Sequence, residues 1–203
     1  LSLSLVGLDS THFVSASWIL TYYSATPNVL VFSVSGTTIS NVGNWTSVSG
    51  TAIYNTANPS SLSLLAPLDS SHFVVVGDTS AQVVSYSGTT YTLGTANTFD
   101  ASGTLGNVAF LDSTHFVVAY KNSSNYGTAK VASVSGTTIS YGSANTYYNS
   151  TPNWVSITGM DSTHFAVAYA DSDFAGSAII GTVSGTTISS YGTTKVFNPT
   201  GAP

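Results

Sequence analysis

Four copies of one polar cluster dominate the chemistry available to this chain. They are Asp9-Ser10-Thr11-His12, Asp69-Ser70-Ser71-His72, Asp112-Ser113-Thr114-His115 and Asp161-Ser162-Thr163-His164. A carboxylate three residues before an imidazole suits three kinds of chemistry. Four such pairs can ring a metal ion, one pair can work as acid and base, and a nearby serine can complete a nucleophilic triad. Identical placement in every copy argues against all three. An acid and a base need different environments, and a job done four times over is a structural one. The expected role of the eight residues is to close a turn, with the carboxylate accepting backbone and hydroxyl hydrogen bonds. Each His, standing at a strand start, is expected to tie its unit to a neighbour. Asp171 and Asp173 are the one other close carboxylate pair; a solvated loop is the expected setting, with loose calcium binding as the minor option.

No other motif points to catalysis. Serines number 35, so Ser, His and Asp fall near one another by chance. Neither Gly-x-Ser-x-Gly, Gly-x-Gly-x-x-Gly nor a Walker pattern occurs. The chain has no Cys, and its eight acidic residues are all Asp, which leaves no thiolate and no Glu pair for glycoside hydrolysis. The expectation is a non-enzyme with no cofactor and no metal. The only cations are Lys121, Lys130 and Lys195. No basic surface can neutralise phosphates, so a nucleic-acid partner is excluded. No apolar run approaches ~18 residues, so no helical membrane span is expected, and no basic segment leads the chain as in a secretory signal.

The elements that must position these residues form a repeat. The Asp-His anchor recurs with histidine spacings of 60, 43 and 49, and a second anchor, Ser-Gly-Thr-Thr, recurs with glycine spacings of 52, 48 and 49 (Gly36, Gly88, Gly136, Gly185). Four units of about 50 residues follow, with boundaries near 1–61, 62–103, 104–152 and 153–203. The first is long because Ser47 to Thr51 partly duplicates Ser33 to Thr37. Each unit reads as four strands. In the third these are Gly106–Leu111, His115–Tyr120, Ala129–Val134 and Thr137–Tyr141, with Asp-Ser and Ser-Gly turns. Val, Thr, Tyr, Phe and Ile favour strands, and Glu, Arg, Lys and Met are too scarce for helices. Four strands in a 40–50-residue repeat resemble the blades of β-propeller proteins. The size is similar to that of the hemopexin-type propeller, whose closing disulfide this chain cannot form; no motif matches a characterised propeller family. The resemblance implies an all-β propeller of four four-stranded antiparallel blades. Its ring would be closed by four blades, or by eight when two copies pair as a dimer. A two-sheet sandwich pair and a β-solenoid are the rival architectures.

In such a blade the anchors lie at one end, and the second–third loops and inter-blade linkers lie at the other. The varied loops are Trp18–Asn28, Gly77–Gln82, Tyr120–Gly127 and Tyr169–Gly176. Binding residues collect on loops held by a rigid scaffold, so the candidate ligand contacts are Tyr22, Tyr23, Tyr126, Asn122, Asn125, Asp171 and Asp173. Aromatic rings among Asn, Asp and Ser suit a sugar, and equally a protein surface. Trp154, at a strand start, is expected to face the core. The sequons at Asn44, Asn122 and Asn149 matter only in a glycosylating, secretory setting. With Ser and Thr at 64 residues and a net charge of only −5, the composition points to the cell surface or the extracellular space. The expected function is a binding or adhesion module, with a carbohydrate or a surface protein as partner. A structural, self-assembling or engineered repeat scaffold is the alternative.

Overall fold

The computed structural model describes residues 3–21, 24–47 and 64–199, and every regular element among them is a strand. The first blade holds β1 (Leu3–Gly7), β2 (His12–Thr21), β3 (Ser24–Ser35) and β4 (Thr38–Ser47). The second holds β5 (Leu64–Pro67), β6 (His72–Val76), β7 (Ser80–Ser87), β8 (Thr90–Leu93) and the short β9 (Asn97–Thr98). The third holds β10 (Thr104–Asp112), β11 (His115–Lys121), β12 (Gly127–Ser135), β13 (Thr138–Tyr141) and β14 (Asn145–Tyr148). The fourth holds β15 (Asn153–Asp161), β16 (His164–Ala170), β17 (Gly176–Ser184), β18 (Thr187–Tyr191) and β19 (Lys195–Asn198). Each blade is a separate antiparallel sheet with strands in chain order. In the last three blades the outermost strand comes in two pieces, both paired to the third strand. The sequence-derived strands of the third blade fall within two residues of those observed. In the first blade, the described residues of Trp18–Asn28 are strand rather than loop. Trp18 pairs with Pro27 and Leu20 with Ala25, so β2 and β3 extend through it. The polar Ser, Thr and Asn there masked a paired ladder.

The repeated anchors fix the hairpins. Gly36, Gly88, Gly136 and Gly185 all have φ between 57 and 59°. Each is the first of two loop residues, as between the paired Ser35 and Thr38. That is the position a type II′ hairpin reserves for glycine.

The chain divides into two compact units, Leu1–Thr98 with Ser135–Ile139, and Phe99–Val134 with Ser140–Pro203. Each has its own core, and both cores are assembled in the same way. In the second unit, Ala109, Leu111, Val117, Ala119, Ala129, Val131 and Tyr147 of the third blade meet Ile157, Phe165, Val167, Tyr169, Ile179, Val183 and Ile188 of the fourth. In the first unit, Val14, Ala16, Val29 and Val31 of the first blade meet Leu65, Phe73, Val75 and Val84 of the second. Val14 and Val117 occupy one repeat position, as do Phe73 and Phe165. Within each unit the first of the two blades thus offers a trailing face, and the second covers it with a leading face. Burying such aliphatic faces is the main source of stability in a chain with so few charges.

A glycine lets the sheets close up. A Cβ on Gly142, between β13 and β14, would collide with the Thr186 carbonyl at the β17–β18 turn. Gly94 stands in the same relation to Thr137 in the first unit. One side-chain donor seals each of these places: Asn97 Nδ2 donates to the Ile139 carbonyl at 2.7 Å, and Asn145 Nδ2 to the Ile188 carbonyl at 3.0 Å.

Candidate functional site

The four Asp-His pairs are self-contained clips. Asp9 Oδ1 accepts from the Thr11 backbone N–H at 2.6 Å and from its hydroxyl at 2.9 Å, and the His12 Nδ1 lies 2.9 Å from Oδ2. Asp69, Asp112 and Asp161 repeat the pattern with Ser71 and His72, Thr114 and His115, and Thr163 and His164. Hydrogen bonds to the ionised form hold these carboxyls below the ordinary range. Asp9 is drawn to about 2, chiefly by the Thr11 N–H, and Asp161 to about 2, chiefly by the Thr163 hydroxyl. At Asp69 and Asp112 partial burial is the largest single influence and opposes the shift, and the hydrogen bonds from Ser71 and His72, and from Thr114 and His115, together outweigh it. Each imidazole therefore spends Nδ1 inside its own turn rather than on a neighbouring blade. The ring of His12 lies 6.3 Å from that of Tyr86 in the second blade.

Two of the loops read as idiosyncratic share one backbone. Asn122 Oδ1 accepts from the N–H groups of Ser124 and Tyr126, both at 2.9 Å. Asp171 Oδ1 accepts from those of Asp173 and Ala175, also at 2.9 Å. The fourth residue of each loop turns left-handed, Asn125 at φ 65° and Phe174 at φ 62°. Asn122 and Asp171 thus hold their loops in shape, which occupies one oxygen of each. Tyr126, Asn125 and Asp173 stand on the exposed side. Tyr22 and Tyr23 lie outside the described residues.

The structure places Trp154 differently from the sequence expectation. It does not face the core; it is 78% exposed. The reason is a β-bulge. Asn153 pairs with Ala170 and Ser156 with Ala168, so Trp154 and Val155 together oppose Tyr169 alone. Trp154 takes φ 44°, which turns its indole outward while Val155 packs against the core. Bulges commonly re-aim a side chain in this way. The indole lies 5.7 Å from the ring of Phe174, itself 55% exposed. Both are bulky residues in the left-handed region, where a non-glycine residue costs roughly 1–2 kcal/mol. Beside the indole opens a cleft of about 390 Å³, lined by Trp154, Lys121, Asn153, Pro152, Thr104 and Val155. The arrangement offers a wide aromatic shelf, one ammonium and amide and hydroxyl groups. Sequence reasoning put neither Trp154 nor Phe174 at the site. The signal for Phe174 was its alignment with Asn125, since Asn tolerates the left-handed region and Phe does not. Among the described residues no three His, Asp or Glu side chains converge as a metal site would require.

Four sheets of this form, each a four-stranded antiparallel meander in chain order, are the blades of an all-β propeller fold. The structural comparison gives the same fold. The chain is similar to the SapL1 lectin, solved in complex with alpha methyl fucoside, with a TM-score of 0.51 and 14% sequence identity. The match covers 98% of this chain and 63% of the lectin chain, so this chain spans less than two thirds of that protein's length. No protein-family model and no curated protein sequence matches the chain.

Proposed function

We propose that this protein binds carbohydrate without transforming it, at the cell surface or outside the cell, and that the Trp154–Phe174 shelf and its cleft are the binding site. The observation that carries the reading is the exposed aromatic pair held in unfavourable backbone. A solvent-facing indole tilted against a phenyl ring gains little for the fold and costs strain at two positions. Strain of this kind persists where the surroundings impose it, commonly at ligand sites. A flat ring covers the C–H face of a pyranose, and Lys121, Asn153 and Thr104 supply donors and acceptors for its hydroxyls. Tyr126 and Asn125 on one loop, and Asp173 beside Phe174, are the proposed flanking contacts. The fold shared with a lectin supports the same reading.

The test is a glycan array on the purified chain, followed by calorimetric titration of the best hit. Trp154→Ala is expected to weaken binding at least tenfold, and Phe174→Ala several-fold, with the circular dichroism spectrum unchanged. A glycan bound equally well by Trp154→Ala, or an array with no hits, overturns the proposal.

A further inference from the structure

We propose that the sugar bound at the Trp154 cleft carries an acidic group, a carboxylate or a sulfate ester, and that Lys121 selects it. The inference rests on the carbohydrate reading and narrows it to one class of sugar. It starts from the scarcity of positive charge, three Lys against eight Asp. Lys130 gives its ammonium to the Phe99 carbonyl, and Lys195 stands exposed on β19. Lys121 is the one that lines the cleft beside the indole. It is half-buried, and no carboxylate is among the lining residues. Among the described residues the only ion pairs are the four Asp-His clips. The cleft therefore holds a positive charge that no side chain of the fold neutralises. An anionic ligand entering it does so.

The repeat supports the same assignment. Counted from the anchor histidines, the other three blades carry Trp18, Asp78 and Ala170 at the position of Lys121. Counted from the anchor aspartates, they carry Ser2, Leu62 and Leu105 at the position of Trp154. What the blade architecture needs recurs, as the clip Asp and His do. Two departures from the repeat meet in one cleft, one supplying a ring and the other a charge.

The neighbouring carboxylates do not cancel that charge. Asp171 has Oδ1 held by the N–H groups of Asp173 and Ala175. Asp100 lies with Tyr120 beside Gly103, and Lys121, the next residue of β11, points to the opposite face. Asp173 is exposed, so water and salt screen it more than they screen a half-buried cation. An ammonium is a compact charge with three rotatable donors and no planar fork, so it accepts either acidic group. Thr104 and Asn153, in the same lining, are left for the sugar hydroxyls.

The experiment scores a glycan array on the intact chain separately for neutral, carboxylated and sulfated glycans. Calorimetry then compares matched methyl glycosides: glucoside with glucuronide, galactoside with galacturonide, and galactoside with its sulfate ester. The acidic member of at least one pair is expected to bind about fivefold more tightly at low salt. The pair that shows the preference tells a carboxylate from a sulfate. The preference is expected to shrink as sodium chloride rises from about 0.02 to 0.5 M. Lys121→Met keeps the apolar stem and is expected to bring the ratio within the pair to about one. Lys121→Arg keeps the charge and is expected to retain the preference. Array hits confined to neutral glycans, or an acid preference that survives Lys121→Met, overturn this proposal and leave the carbohydrate reading standing. An array with no hits overturns both.

Discussion

The third and fourth blades are built on one repeat and differ in what covers them. On the leading side Phe116 and Phe165 are equally buried, as are Val118 and Val167. On the trailing side they part. In β11 five consecutive residues are buried, whereas in β16 buried and half-buried residues alternate. The side chains are nearly the same: Val131 has become Ile180, and Leu111 has become Met160. A repeat therefore specifies where apolar residues stand, and the neighbour decides whether those residues are core. The hydrophobic runs of β11 and β16 look alike in sequence although only the first is buried on both faces.

The sharpest way to break this comparison is to charge the same position in both blades. Val131→Asp buries an unpaired carboxylate and is expected to cost at least ~3 kcal/mol or to abolish folding. Ile180→Asp in the dilute chain is expected to stay within about 1 kcal/mol of the parent. Urea denaturation of the two variants checks this, and equal losses would mean that the trailing face of the fourth blade is covered after all. The paired glycines come next. Gly142→Ala forces a methyl against the Thr186 carbonyl and should cost about 2 kcal/mol. Gly192→Ala has room and should change stability by no more than ~0.5 kcal/mol.

The sister loops give a smaller effect of opposite sign. Phe174→Asn puts into the fourth blade the residue that the third uses at this left-handed position. Thermal unfolding is expected to show a gain of roughly 1 kcal/mol, with carbohydrate affinity reduced. A loss of stability would show that the aromatic pair contributes more by packing than its backbone costs. The weakest effect is in the clips. A carboxyl whose folded pKa lies below its unfolded value stabilises the fold above that unfolded value. The contribution fades as pH falls toward the folded pKa. For Asp161 the window runs from the ordinary 3.8 down to about 2. The melting temperatures of wild type and Asp161→Asn should therefore differ by a constant amount above about pH 4 and converge by pH 2.

The blades were legible because their punctuation is chemical. Ser-Gly at four equivalent places demands a left-handed turn, and Asp followed two residues on by Thr or Ser demands a carboxylate-capped one; both are found at each anchor. The site was legible only in part. Asn122 and Asp171 could be assigned to loops but not to their task, since the oxygen that would greet a ligand is the same oxygen that gathers two backbone N–H groups. Trp154 was hidden for a different reason. Its outward aim comes from one extra residue in β15 and a left-handed φ with no glycine to announce it. An aromatic residue opening an apolar strand otherwise reads as core.

The Asp–Thr–His clip also bears on how the molecule acquires its structure. It joins groups three residues apart, so it can close with almost no loss of chain freedom and before distant segments have met. Four such closures give the chain four independent starting points, each delivering two strands in register. The slow events are then left to the meeting of finished sheets, because only there must residues some fifty positions apart find one another. Refolding of Asp112→Ala should be slowed in its earliest phase and scarcely altered in its last. Time in this molecule is set by its seams, and its hairpins are ready well before.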